Sequence, residues 1–557
     1  MLPSYEIGQN QYAWGENVFT RGGVPQTRPG NRYVTELPGK KLQGMVMFTP
    51  TNASQQMIVA IDGEIFQSSP PFTSFAKVQG ANFSPCVDMI HMKPCLKSVE
   101  ETLSGVLSLI TPKSMIVIQD GISPAVSWDG GTAKTLDIPI GTWMEWANSR
   151  LWIANGSSLI AGNLGDPEHA TENQYLAERS DFTLPDYITG MIQTTDLQGL
   201  LVFTATTTFA FQTGIRDRKQ WQTTPNFQSL AIPHVGCVAG RSIVNQYGLT
   251  HWFSASGMVT ANAAMASKIS SSLPSIDGEM TRSKANISSN PSGVCCATYE
   301  NVMMVSVPSG DRYNSHTWIK DFAPSGESNG VGANPYTGTV APGAWAGVWT
   351  GIRPVQWATS SDNGRQRCFA ACYDKSSKNG KLIHIWEAFS SVKTDNNGGR
   401  ITCALETAMV MQPTRRKFCY SEIDVCEITG IVDLEIYFGG LKGPWIKIFD
   451  GVLQAMEGSM GSPGNQIMDE NTVIQNFKPQ SRRIRTRDFS PQTQAPIRES
   501  GDVAGADKAF ALLFVWKGRM GIQRARIVTS DFPESNTGVP ATIEATAYAI
   551  DAGGAQI

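Results

Sequence analysis

Between Ser149 and Pro167 the chain reads SRLWIANGSSLIAGNLGDP, and this short pattern limits the possible folds more than any other. Leu151, Trp152 and Ile153 form an apolar run, Asn155-Gly156 supplies a tight turn, and Leu159, Ile160 and Ala161 form the returning run. An Asn-Gly pair suits a two-residue hairpin because both central positions need φ > 0. Pro167 ends the pairing, since it has no backbone N–H to give a ladder. Variants of the unit recur along most of the chain. Met57 to Ile61 turns at Asp62-Gly63 into Glu64-Ile65-Phe66, and Met115 to Ile118 passes Asp120-Gly121 towards Val126 and Trp128. Leu200 to Phe203 pairs with Phe209 to Phe211, and Tyr247 to Phe253 turns at Ser256-Gly257 into Met258-Val259. Later units (Cys296 to Val307, His316 to Ile319, Trp345 to Trp357, Phe369 to Tyr373, Leu382 to Trp386) are less regular. The spacing is too uneven for a WD40 or kelch array, but it fits propeller blades, small sheets packed on their neighbours.

The expected fold class is therefore all-β: an irregular β-propeller followed by a C-terminal antiparallel β-sandwich-like domain. Residues 1–34 are expected as an N-terminal extended arm and 35–398 as the propeller, with a break at Thr394-Asp395-Asn396-Asn397-Gly398-Gly399. Residues 399–530 form the sandwich-like part. There Ile423 and Val425, then Val432, Leu434, Ile436 and Phe438, alternate with polar residues, which gives one buried and one wetter face. Thr429-Gly430 is read as a turn between them. Phe510 to Trp516 turns at Lys517 to Gly521 into Ile522 to Val528. Residues 531–557 are expected as a polar tail, and the Gly/Ser-rich stretch Ala323 to Gly343 as a long loop.

Composition agrees with a turn-rich β protein: 53 glycines, 31 prolines and only 17% charged residues, against about 25% in typical soluble domains. The net charge of −3 implies no bulk attraction to nucleic acid or anionic membranes. The start, MLPSYEIGQNQYAW, has no basic or strongly apolar region, and no run has the length of a membrane helix. Synthesis and folding in a cytoplasm, with no membrane insertion, are expected. The ten cysteines form no CxxC pair. Cys368-x3-Cys372 and Cys295-Cys296 lack a matching second pair, so buried thiols are preferred over a metal site.

Catalytic patterns are not found. The six histidines include no HExxH, Gly130 to Thr135 lacks P-loop spacing, and Gly458-Ser459-Met460-Gly461 is no nucleophile elbow. No catalytic, metal-ligating or cofactor-binding residue is assigned, and no cofactor or enzymatic activity is expected. Two charged segments remain. Arg21, Arg28 and Arg32 either contact phosphate or, as preferred, solvate turns. Arg482, Arg483, Arg485 and Arg487 form the one notable cluster, a candidate subunit-interface or phosphate-contact row. On a strand, Arg483, Arg485 and Arg487 share a face. Paired charges are preferred over phosphate contacts, because each neutralised phosphate adds about 0.9 to the log–log salt slope. Four such arginines on one chain would grip a duplex strongly.

Four segments together resemble the tail nozzle proteins of short-tailed bacteriophages. They are RGGVPQTRPG (Arg21 to Gly30), SRLWIANGSSLIAGNLGDPEHA, LLVFTATTTFAFQTG (Leu200 to Gly214) and VAGRSIVNQYGLTHWFSASGMV (Val238 to Val259). The resemblance implies a virion structural protein, a propeller-bearing subunit repeated as a homohexameric ring beneath the adaptor and portal. Its channel would conduct and gate genomic DNA during ejection without sequence readout, and its outer faces would seat tail fibres or spikes. Assembly would occur in the host bacterial cytoplasm. Two rivals use the same scaffold. A receptor-binding or baseplate module would rely on the Ala323 to Gly343 loop, and a propeller glycosidase would need acidic residues converging at one propeller mouth.

Overall fold

The computed structural model of the chain describes residues 12–20, 24–103, 107–171, 181–262, 275–281, 291–310, 313–322, 344–362, 364–373, 382–390, 394–395, 398–440, 445–454, 480–485 and 506–531. Arg21, Arg487, the 323–343 loop, Gly458 to Gly461 and the tail beyond Asp531 lie outside these residues. Strands dominate, and among the described residues the only helical turns are three-residue 3-10 turns such as Arg218–Gln220 and Gly240–Ser242. The chain forms two compact units. One holds Arg32–Trp318 and Gly351–Ala388, the other Met1–Asn31, Ile319–Thr350 and Phe389–Ile557.

The first unit is a six-blade β-propeller built from six four-stranded sheets. The first five blades follow chain order, with inner strands Leu42–Phe48, His91–Leu103, Trp143–Ala147, Ile188–Gln193 and Val244–Gln246. The sixth joins Pro354–Asp362, Arg365–Tyr373 and Leu382–Ser390 to Gly30–Pro38, so an early strand becomes the outer strand of the last blade. Between the fifth and sixth inner strands stands the hairpin Cys295–Tyr299/Val302–Val307. Part of the segment expected as an extended arm is thus a blade strand, and the described residues of 319–350, expected within the propeller, group with the second unit. The division is interleaved, not linear, because strand pairing ignores sequence distance.

Packing explains why the blade strands are apolar runs and not alternating ones. Each blade is covered on both faces, so residues of either parity are buried. Met57, Val59 and Ile61 pack on the sixth blade's Phe369, Ala371, Ile383 and Ile385. Their neighbours Ile58 and Ala60 pack on the second blade's Ile116, Ile118 and Trp128. The turns obey the same local chemistry with one difference. At Asp62-Gly63 both residues have positive φ (51° and 82°), as a type I′ turn requires. In the 149–167 hairpin Asn155 pairs with Ser158, so the loop is Gly156-Ser157 and only Gly156 has positive φ. Those signs fit a type II′ turn, with glycine first. Tyr247-Gly248, expected within a strand, instead turns Val244–Gln246 into Leu249–Ser254.

An ion cluster joins the second blade to the loop between Ser158–Ala161 and Asp181–Thr183 of the third blade. Glu168 accepts from Lys97, from Ser127 Oγ (2.8 Å) and from Lys134 (3.3 Å). Burial raises its pKa, but these partners outweigh burial and hold it down at about 2. A carboxylate depressed on folding stabilises the fold fully above its unfolded pKa and loses that contribution as pH falls through the folded value. Glu168→Gln is therefore expected to flatten the fall in melting temperature between about pH 4.5 and pH 2, and to lower the melting temperature at neutral pH.

The second unit is a curled sheet around one core. Its two longest strands, Val410–Gly440 and Ala506–Asp531, pair over most of their length. Partner numbers fall from Arg526 at Glu422 to Phe510 at Gly440, so they run in opposite senses. Both strands bend. Glu427 (φ 55°) and Gly430 (φ 69°) bend the first, and Gly518 (φ 130°) bends the second. The expected Thr429-Gly430 turn is this bend within one continuous strand. A strand that bends in this way can line both sides of one core. Ile423, Val425, Val432, Leu434, Ile436 and Phe438 meet Phe510, Leu512, Phe514 and Trp516 there. The expected alternation is thus present, arranged as a sandwich-like curl.

Arg28 departs from both sequence readings, since it neither faces solvent nor offers itself to phosphate. Only 1% exposed, it places all five N–H groups: Nε to Asn17 Oδ1, Nη1 to Pro29 O and Asp395 Oδ1, and Nη2 to Thr350 O and Asp395 Oδ2. The guanidinium also lies over Trp349, 5.8 Å from the ring centre. Arg32 pairs with Glu387 in the propeller.

Candidate functional site: the arginine row and the propeller axis

Gln480–Arg485 is a short strand added to the edge of Val410–Gly440. The register sets Arg482 opposite Val425, Arg483 opposite Asp424, Ile484 opposite Ile423 and Arg485 opposite Glu422. Ile484 is buried in the core, which anchors the strand and turns Arg483 outward. Arg483 is exposed and makes a two-point pair with Asp424, Nε to Oδ1 at 2.7 Å and Nη2 to Oδ2 at 3.1 Å. That bond comes first among the causes that raise the Arg483 pKa. Arg482, on the parity of Ile484, is half-buried.

On its other side the acidic strand faces Ala506–Asp531. Asp424 stands opposite Arg524 and Glu422 opposite Arg526, with Arg526 Nη1 3.6 Å from Glu422 Oε2. The acids of SEIDVCEI therefore form a central file between two files of arginine. Arg524 and Arg526 were missed in the sequence because they lie in an apolar run, GIQRARIV, that reads simply as a core strand. The signal was present in the alternation of acidic residues, but matching charge to charge needs the register. With Asp424 paired to Arg483 and Glu422 close to Arg526, the row is partly neutralised from within. A phosphate would compete with Asp424 for Arg483.

This arrangement gives a direct expectation. Asp424→Ala removes the competitor and should increase retention on immobilised duplex DNA at low salt, with the salt slope rising by about 0.9 for each new phosphate contact. Unchanged retention would show that the row is not accessible to DNA.

The propeller axis is the other place where a function would be sought. Its entrance, where the inner strands begin, is crossed by side chains. Trp143 lies against His91, with ring centres 5.2 Å apart, and against Gly240, where a Cβ would stand 2.1 Å from the indole. Arg241 reaches to Gln43 O at 2.7 Å. Glu145, the carboxylate on the third inner strand, is committed to Lys93 at 2.6 Å. Among the described residues no group of three His, Cys, Asp or Glu side chains is placed to hold a metal ion. Cys295, Cys296, Cys368 and Cys372 are all buried, and burial pushes their thiols up, Cys295 to about 12. Such thiols are poor nucleophiles and poor ligands at neutral pH.

No protein-family model matches this chain, and no curated protein matches it. What the coordinates establish by themselves is the class: an all-β protein made of a β-propeller and a curled β unit.

Proposed function

We propose that this chain is a virion structural protein, a tail nozzle or closely related tail-hub subunit of a short-tailed bacteriophage, repeated around an axis as a homohexameric ring. Genomic DNA passes along the ring axis without sequence readout. The ring seats against the adaptor or portal-proximal ring and carries fibres or spikes on its outside. The observation that carries this reading is the commitment of the arginine row. Arg483 is held by Asp424, and Glu422 and Asp424 stand in register with arginines on both sides, so the strongest cationic segment of the sequence is partly neutralised by acids, which favours a sliding duplex over a firm grip. The side chains that cross the propeller entrance support the same reading, since they favour a passage for DNA between copies. Resemblance of the four quoted segments to nozzle proteins supplies the particular assignment.

Electron microscopy of the purified chain at high concentration tests the proposal. Closed rings with a central opening as wide as a duplex are expected. A chain that stays monomeric both alone and in particles contradicts it.

A further inference from the structure

One cation in the propeller is left half-engaged by the fold. Arg241 sits in the 3-10 turn Gly240–Ser242, which Trp143 presses against through Gly240. Its Nη2 donates to Gln43 O at 2.7 Å and reaches Asp88 O at 3.4 Å. Both acceptors belong to the first blade and the segment after it, so the side chain spans from the entry of the fifth blade to the first. Nε and Nη1 make no hydrogen bond, and no carboxylate among the described residues pairs with the guanidinium. Asp88, which offers its carbonyl, gives its carboxylate to Lys41 at 2.7 Å. Arg241 is nevertheless only partly exposed. A guanidinium withdrawn from bulk water without a counter-charge is unfavourable unless something supplies one.

A second observation falls at the same place. Ile90 N–H shares the Gln43 carbonyl with Arg241, at 3.0 Å, and the next residue is His91. His91 Nδ1 is buried and has no hydrogen-bond partner. Burial first, then the positive charges of Lys93 and Arg241, push the His91 pKa down to about 3. Lys93 has its own partner in Glu145, whereas Arg241 has near it only the charge of Asp88, which is already paired with Lys41.

We propose that this end of the propeller axis binds a small oxyanion, a carboxylate or phosphate group, held by the free Nε and Nη1 of Arg241 with His91 beside it. The guanidinium fork matches two oxygens of either group. A neutral imidazole can place its one N–H on Nδ1 and donate it to a bound oxygen. The site belongs to the propeller alone and does not depend on ring formation.

The test uses the full chain with isotopically labelled histidine rings, titrated with inorganic phosphate or acetate against chloride at constant ionic strength. One ring resonance, identified by its loss in His91→Gln, is expected to move and saturate. Arg241→Gln should raise the half-saturating concentration about tenfold or more, the scale of one charge-assisted hydrogen bond, and Arg241→Lys should fall between. Tighter binding of phosphate assigns a tetrahedral ligand. Tighter binding of acetate assigns a carboxylate, such as an acidic side chain of a partner. A wild-type protein whose His91 signal responds to neither anion overturns the proposal, as does an unchanged response in Arg241→Gln. The wild-type titration decides alone if a variant fails to fold.

Discussion

Replacing Arg28 with alanine is expected to destabilise the second unit by about 3–5 kcal/mol, the cost of breaking a buried, fully hydrogen-bonded ion pair. Five donors are lost together. Asp395 and Asn17 Oδ1 lose the cation between them, and the carbonyl of Thr350 loses its Nη2 donor. Asn17 keeps other bonds, since its amide donates to Thr350 Oγ1 and Thr402 O, so the damage centres on the carboxylate. The control follows from the same physics. Arg28→Met combined with Asp395→Leu removes both charges and should cost much less than either change alone. Urea unfolding followed by backbone hydrogen exchange along Val410–Gly440 and Ala506–Asp531 reads the second unit, because both strands lie in it. Equal costs for the single and double changes would show that Arg28 acts by packing and not by charge.

The second large effect is expected in the propeller. Trp152 is fully buried between the third and fourth blades, stacked on Trp221 at 5.5 Å and packed with Phe182 and Phe211. Trp152→Ala leaves a cavity that several large rings cannot fill without moving, and should cost about 3–5 kcal/mol. Trp152→Phe should be far milder. It keeps most of the aromatic contact and deletes an indole N–H that is buried without an acceptor. Thermal unfolding of the two variants separates these terms. Similar losses in both would mean that the indole has a polar partner in solution.

These two residues also mark what could be read from the sequence. Trp152 sits in a hairpin whose strands and turn lie within twenty residues. Apolar runs, Gly-containing turns and breaker residues were enough to place it and most blade hairpins, because local pairing closes short loops cheaply. Arg28 was read as solvent-facing because charge alone predicts exposure. Its burial depends on Asp395, a partner 367 residues away. Closure of the sixth blade by Gly30–Pro38 was hidden for the same reason. In the curled unit the alternation of Val432, Leu434, Ile436 and Phe438 gave the buried face correctly. The pairing of Arg483 with Asp424 did not follow from it, since a shift of one residue between those strands would have moved every charge to the other face. Arg241 and His91 gave no signal at all. Each is a single polar residue near the start of an inner strand, and only the ring brings them together.

The most direct test of the whole account is a symmetry-resolved cryo-electron microscopy map of particles containing this chain. Several copies around a common axis are expected, with an open channel between them and propeller entrances crossed by Trp143, His91 and Arg241. A channel running down a propeller's own axis, or a single copy with no symmetry mate, would contradict it.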